Sequence, residues 1–317
     1  MAGLNPQVLV TLWNIERLGS FSAVAREFGW SQPAISQQIR KCENDIGAQL
    51  VHRTSHGVEL TPIGRILARH GQLIDNRLAQ AVKDVEEYLR NGSTHIRLVA
   101  PPSVCSSFVA RVLVHISKTS DIRVSLMQME PPEAMDALEQ GLADCAITFQ
   151  YNSLPSDGEP DDLQVDCFGI DPLMLLVGST SDIARDAIIH DDGTQSYSSV
   201  HLSDAAAEQW IAGCETCQAN LVSLARAAGF IPEITHSTDD YWATQNLVEV
   251  GMGVSIVSRL ATTAGLQPNL AALPIADDNA FRKVCFVTRK ADDRPAIARV
   301  KEEISKASRQ YLNNASQ

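Results

Sequence analysis

Ser20-Phe-Ser-Ala-Val-Ala-Arg-Glu-Phe-Gly-Trp-Ser-Gln-Pro-Ala-Ile-Ser-Gln-Gln-Ile-Arg-Lys-Cys-Glu-Asn-Asp-Ile46 is the run that decides how this chain reads. Phe21, Val24, Ala25 and Phe28 recur at helical spacing and predict a short amphipathic helix. Gly29-Trp30-Ser31 breaks it: a glycine takes the left-handed conformation that ends a helix, and a serine caps the next. Pro33 falls in the first turn of a second helix, where its missing N–H costs nothing. Ile35, Ile39, Cys42 and Ile46 then face inward, which leaves Gln32, Ser36, Gln37 and Arg40 on an outward face nearly free of carboxylate. Amides, hydroxyls and an arginine on one helix face suit base edges and phosphates in a major groove. The same pattern fits a plain antiparallel helix pair with a polar surface.

Working outward, Gln7 to Arg17 reads as a first helix, with Leu9, Leu12, Trp13 and Ile15 inward. After Gly47, Leu50 to Leu60 forms two short alternating runs around Ser55-His56-Gly57, a hairpin signal. Three helices and a hairpin make a winged helix-turn-helix, with Arg53 on the first wing strand placed for phosphate or the minor groove. Thr61-Pro62 starts a long helix that runs to Arg90. Its apolar positions Ile63, Leu67, His70, Ile74, Leu78, Ala81, Val85 and Tyr88 step in a near-heptad seam. That seam suits a partner helix from a second copy, the alternative being a seam packed on its own domain. Asn91-Gly92-Ser93 ends the helix as a hinge.

The chain has 317 residues, 44% hydrophobic and 20% charged, the balance of a folded protein of two or three domains. No apolar run reaches membrane-span length, and the first ten residues carry no basic charge, so the chain reads as cytoplasmic, without membrane association. The net charge of −12 is uneven. Residues 1–70 hold seven basic and five acidic side chains, +2; the remainder holds 19 and 33, −14. The acid is kept away from the reading head, whose weak positive charge relies on placed contacts and on paired copies.

From His95 onward strands and helices alternate, which predicts mostly parallel sheets with helices on both faces. Strands are expected at 95–100, 122–129, 145–149, 163–168, 173–177, 209–212, 232–235, 253–257 and 281–288, with helices at 104–117, 133–140, 202–208, 215–228, 239–250 and 295–312. Ligands in such sheets lie beyond the carboxyl ends of the strands. No nucleophile elbow, zinc-protease motif or phosphate loop is present, and no cofactor or enzyme activity is expected. Gly251-Met-Gly253 matches part of a dinucleotide fingerprint, but it follows a helix rather than opening one.

Ser20-Phe-Ser-x-x-Ala25, Ser31-Gln-Pro-Ala-Ile-Ser36-x-Gln-Ile39, Glu43-x-x-Ile-Gly47-x-x-Leu50-x-x-Arg53 and Leu60-Thr-Pro-x-Gly64 together resemble the LysR-type transcriptional regulators. Family-like pieces continue at Glu130-x-x-Glu133-x-x-x-Ala137-Leu-x-x-Gly141-x-x-Asp144-x-Ala146 and Val248-x-x-Gly251-x-Gly253-Val254. The resemblance implies an α/β chain with a winged DNA-binding head (4–61), a linker and dimerisation helix (62–92) and an effector domain (93–317). That domain would have two lobes of the periplasmic-binding-protein type, one about 93–167 and 273–317, the other about 168–272, joined by crossover strands near Phe168 and Leu273. It implies double-stranded operator DNA and a small-molecule effector as partners, a homotetramer built as a dimer of dimers, and RNA polymerase recruitment as the output. Gln32, Pro33, Ser36 and Gln37 would lie at base edges and Arg53 on the backbone. Gln37 stands where the family often has arginine, Trp30 replaces a smaller apolar residue, Cys42 a leucine and Val51 a phenylalanine.

On that frame the interlobe cleft is lined by Pro102, Ser103 and Val104, by Gln128 and Glu130, and by Phe149 and Gln150 from one lobe. Gly213, Cys214 and Thr238 line it from the other. Ser103 at a helix start could hold an anion or serve only as a cap. Cys214-Glu-Thr-Cys217 follows a strand and opens a helix. It reads as two small pocket-lining residues, as a dithiol/disulfide couple, or, with Cys105, as a soft-metal site. The other five cysteines (42, 105, 145, 167, 285) read as core fillers. A solute-binding or enzymatic α/β protein with a helical appendage is the remote alternative.

Overall fold

The computed structural model describes residues 4–54, 57–91, 95–155, 162–185, 187–189 and 195–312. They fall into two compact units, Met1–Gly92 and Ser93–Gln317.

The first unit runs α1 (Pro6–Leu18), α2 (Phe21–Phe28), α3 (Gln32–Ile46), β1 (Val51–Thr54), β2 (Gly57–Leu60) and α4 (Pro62–Asn91). The punctuation residues act as expected. Ser20 accepts a hydrogen bond from the Ala23 N–H (3.0 Å), and Ser31 accepts one from Ala34 (3.4 Å). Gly29 and Gly47 close α2 and α3 in the left-handed conformation. Leu12, Ile15, Val24, Ile35, Ile39 and Leu50 form one buried cluster, each contributing about 1.5–3 kcal/mol of transfer free energy. Ile46, expected inward, is 38% exposed. The cluster closes at Cys42, and Ile46 is the last residue before Gly47 turns the chain, so its side chain overhangs the core. The Glu43 carboxylate accepts from the Leu50 and Val51 N–H groups (2.9 and 3.3 Å) and ties the wing to the end of α3. β1 and β2 pair antiparallel, Val51 opposite Leu60 and Arg53 opposite Val58. The hairpin tip Ser55-His56, the Arg53 side chain and the hinge residues Gly92-Ser93 lie outside what is described.

Thr61 caps α4 by accepting from the Gly64 N–H (3.0 Å). Leu67 and Ala68 join the core of the head, and Gly71 lies so near α1 that an added Cβ would sit 1.9 Å from the Leu9 carbonyl oxygen. Further along, Leu78, Val82, Val85 and Leu89 are exposed. The expected seam position Ala81 is exposed as well, beside Val82; the Tyr88 side chain is not described.

The second unit contains β3 (His95–Ala100), α5 (Pro102–Val104), a π turn (Cys105–Val109), α6 (Ala110–Thr119), β4 (Arg123–Gln128), α7 (Pro131–Glu139), β5 (Cys145–Tyr151) and β6 (Leu163–Gly178). It continues with β7 (Ala187–Ile189), β8 (Gln195–Tyr197), β9 (Gln209–Ala212), α8 (Glu215–Ala227), β10 (Glu233–Ser237), α9 (Tyr241–Glu249) and β11 (Val254–Ser258). Last come α10 (Arg259–Thr262), β12 (Leu270–Pro274), β13 (Phe281–Arg289) and α11 (Pro295–Ser308). The strand order is β10-β9-β11-β6-β13-β5-β3-β4, with β12 also paired to β6. Two core regions flank the middle of this order. One gathers Ile96, Leu98, Phe108, Ile147, Phe286 and Val300; the other gathers Leu175, Trp210, Leu221, Leu224 and Leu273.

Four expectations change. The two strands at 163–168 and 173–177 are one strand, β6: β13 pairs with it continuously from Leu163 through Gly169 to Pro172, and β11 and β12 pair with it beyond. The sheet is mixed rather than mostly parallel: β6 pairs antiparallel with β11, β12 and β13, while β3–β4, β3–β5, β9–β10 and β9–β11 are parallel. The return crossing is at Phe281 and Arg282, since Leu273 is buried in the second core. Cys167 and Cys285, expected as core fillers, form a disulfide between neighbouring β6 and β13. The π turn, the β7–β8 hairpin and α10 were not signalled by periodicity.

Candidate functional site

Two places carry functional chemistry. In the head, the buried side of α3 is Ile35, Ile39 and Cys42, and this fixes what the opposite side offers. Pro33, Gln37 and Arg40 are exposed, and Gln32 and Ser36 half-buried. Gln38, between them, turns back to the core side and accepts from the Thr11 hydroxyl (3.0 Å). None of the exposed polar residues on the first three turns is acidic. A helix N-terminus, a proline that keeps the first turn from bulging, and amide and guanidinium donors thus share one open surface. The Arg40 guanidinium faces solvent.

In the second unit the site is the cleft where the two lobes meet. At its floor Arg282 is fully buried, on the strand Phe281-Arg-Lys-Val-Cys-Phe-Val-Thr-Arg289. Its Nε donates to Asp171 Oδ2 (2.9 Å), and its Nη2 donates to Ser103 Oγ (2.6 Å) and Ser258 Oγ (2.7 Å). Asp171 in turn accepts from the Leu260 N–H (3.1 Å), and the guanidinium lies 4.2 Å over the Phe149 ring. Burial by itself disfavours charge on Arg282, but the Asp171 carboxylate outweighs it and holds the guanidinium protonated. A single side chain therefore links the start of α5, both crossing strands and the end of β11.

Around this floor two cavities open. One, of about 430 Å³, is lined by Phe149, Gln150, Tyr151, Thr216 and Lys283. The other, of about 590 Å³, is lined by Pro102, Gln128, Glu130, Asp239, Tyr241 and Trp242. Glu130 is half-buried; its Oε2 is shielded from solvent and has no hydrogen-bond partner among the described residues. Burial raises its pKa, with Arg282 opposing.

Of the expected cleft residues, Pro102, Gln128 and Glu130 border the larger cavity, and Phe149 and Gln150 the smaller. Ser103 is wholly buried, its hydroxyl held by Arg282. Val104 does not line the cleft: it is 1% exposed and packs in the core with Phe108, because the helix starting at Pro102 turns it inward. Gly213 and Cys214 stand at the entrance to α8. Thr238 borders neither cavity; its hydroxyl accepts from the Asp240 N–H (3.3 Å), and Asp239 takes the lining position.

Sequence reading missed Arg282, Asp171, Tyr151, Tyr241 and Trp242. The first two left a signal, a charge set at inward positions of otherwise apolar strands. The aromatics left none, because only folding brings them to the cleft.

With this geometry in place, comparison with known proteins falls on the same two regions. Residues 6–65 match the bacterial regulatory helix-turn-helix protein, lysR family, and residues 90–309 match the LysR substrate binding domain. The probable HTH-type transcriptional regulator YhaJ of Escherichia coli (strain K12) is 27% identical over 133 residues, 42% of this chain, and the aligned stretch spans about half of that relative's length, 45%. Full-length CbnR complexed with its target DNA superposes with a TM-score of 0.61 at 20% identity, over 96% of this chain and 100% of CbnR. The BenM effector binding domain with its effector benzoate superposes with a TM-score of 0.57 at 17% identity, over 68% of this chain and 93% of that one. A capped reading helix with a wing, a long helix and a mixed two-lobed sheet, matched along nearly the whole sequence, place this chain in the LysR family of bacterial helix-turn-helix regulators.

Proposed function

We propose that this protein is a DNA-binding transcription regulator whose action on DNA is set by a small molecule held between the lobes of its second unit. The observation that carries the reading is α3: its apolar side is consumed by the head's core, and its other side offers Gln32, Pro33, Ser36, Gln37 and Arg40 to solvent. Such a face has no structural use inside the head and fits a major groove. Arg53, on β1, is assigned to the DNA backbone. The exposed stripe Leu78, Val82, Val85 and Leu89 on α4 is assigned to pairing with a second copy, which places two heads on two half-sites, and a dimer of dimers is the assembly proposed. RNA polymerase recruitment is the proposed output. The site of action is the cytoplasm; among the described residues no helix is long and apolar enough to cross a membrane. The protein is read as a regulator rather than an enzyme.

The effector's place is the cleft around Arg282, and a ligand works by binding one lobe arrangement more tightly than another. BenM bound to benzoate and the match to a substrate binding domain favour a small molecule over a redox change as the primary signal. The test is selection of bound duplexes from random genomic fragments with the purified full-length protein. Recovery of a two-half-site motif, lost on Gln32→Ala with Ser36→Ala, supports the reading. Binding of every duplex alike, unaffected by those changes, overturns it. A thermal-shift screen of carboxylates, amino acids and aromatic acids then finds the effector class, since a ligand of the folded state raises Tm by mass action.

A further inference from the structure

Cys214 and Cys217 play no part in the reading above, yet they are built as a pair. Cys214 is the N-cap of α8, and its Sγ accepts from the Cys217 N–H (3.4 Å). The two sulfurs stand 2.8 Å apart. The Tyr151 hydroxyl, arriving from β5, donates to Cys217 Sγ (3.4 Å). Gly213 leaves the room: a Cβ there would lie 3.0 Å from Cys217 Cβ. Both thiols are half-buried, and Thr216 between them lines the smaller cavity. Among the described residues no third metal-holding side chain joins them in a group, so the arrangement is a dithiol rather than a metal site.

We propose that Cys214 and Cys217 are a peroxide-reactive dithiol that closes to a disulfide at the mouth of the cleft. Hydrogen bonds from Cys214 and then Tyr151 bring the Cys217 thiol down to about 7 against the opposing effect of burial, while Cys214 is pushed far up. The groups facing Cys217 are Cys214, Tyr151, Glu130 and Arg282. Cys217, whose sulfur accepts from the Tyr151 hydroxyl and stands 2.8 Å from Cys214 Sγ, is the nucleophile, and Cys214 is the resolving thiol. The Cys217 thiolate attacks one oxygen of a hydroperoxide; an S–O bond forms, the O–O bond breaks, and the departing oxygen leaves as hydroxide and is protonated to water. Cys214 then loses its proton and attacks the sulfenic sulfur; the S–S bond forms and the hydroxyl departs as a second water. Two thiols lose two electrons, and one hydrogen peroxide becomes two waters. The sulfurs need to approach only to about 2.05 Å, a bond length. Closure takes Cys217 away from Tyr151 as an acceptor, which alters the wall that an effector touches. Only this last consequence rests on the effector reading.

The experiment is hydrogen peroxide treatment of the reduced full-length protein, followed by alkylation and peptide mass spectrometry. The expected result is loss of two hydrogens in the Cys214–Cys217 peptide, read separately from the Cys167–Cys285 disulfide and reversed by dithiothreitol, with Cys105 still alkylated. In Cys214→Ser the sulfenic acid at Cys217 accumulates and is trapped by dimedone; in Cys217→Ser no adduct forms on Cys214. Thermal unfolding of both variants checks that they fold. Full alkylation of both cysteines after peroxide, or oxidation of Cys105 in their stead, overturns the proposal. Neither outcome bears on whether the cleft takes an effector.

Discussion

Asp144 sits in a family-like stretch of the sequence, and its role is structural. Its carboxylate accepts from the Arg97 backbone N–H (2.8 Å) and Nε (3.0 Å), and from Arg294 Nη2 (2.7 Å), with 4% of the side chain exposed. Burial alone would raise its pKa, but the hydrogen bonds from Arg97 and Arg294 more than reverse this and hold the acid well below the usual carboxylate range. A depressed folded pKa stabilises fully above the unfolded value, near ~3.9, and the contribution is lost as pH falls through the folded one. Asp144→Asn is expected to cost about 3–5 kcal/mol at pH 7, because it strips a buried charge cluster of its anion. In urea unfolding the gap between wild type and variant stays constant from pH 7 to 5 and narrows below pH 4; a gap that persists undiminished in stronger acid would refute the assignment. On α3, Gln32→Ala is expected to relax base preference by about 1–3 kcal/mol at one position of the half-site. Arg53→Ala weakens all duplexes alike and flattens the salt dependence, as binding titrations at several salt concentrations would read.

Elements meet closely where the sequence is small. Gly71 lets α4 lie against the Leu9 carbonyl, and a methyl group there has nowhere to go. Gly71→Ala, favourable for an isolated helix by about 1 kcal/mol, is expected instead to destabilise the head by about 1–3 kcal/mol, because packing outweighs propensity. A thermal melt that rises on this substitution would show that α1 and α4 can separate at no cost. In the second unit Arg282 joins four elements. Arg282→Met leaves Asp171 buried without its cation and is expected to cost about 3–5 kcal/mol, while the pair Arg282→Met with Asp171→Asn recovers part of the loss. Chemical denaturation of the four proteins in that cycle measures the coupling.

For the whole molecule, the stripe on α4 is the proposed seam of the assembly. Val82→Glu with Val85→Glu puts charge into the seam without touching either unit's core. Sedimentation is expected to show a smaller oligomer, and DNA binding is expected to lose the gain from two linked half-sites. An unchanged oligomer would move the interface elsewhere. Net charge works at this scale too: residues 1–70 carry +2 of a −12 total, so binding should weaken with added salt by only a few phosphate contacts' worth.

The reading head was legible almost residue by residue. Ser20, Gly29, Ser31, Pro33 and Gly47 act through local backbone chemistry, and the periodicity of α1 to α3 sorts inside from outside with no long-range information. Ile46 is the exception, since the edge of a core is not a local property. The second unit was legible as alternating strands and helices, but its centre was not. The unbroken β6, the antiparallel β13 beside it, and the meeting of Ser103, Asp171, Ser258 and Arg282 join residues up to 179 positions apart. The sequence by itself determined the head's elements, their caps and the family; the tertiary structure alone decided which charges are buried together and which side chains face the cleft, because strand pairing and burial depend on contacts that no local pattern encodes.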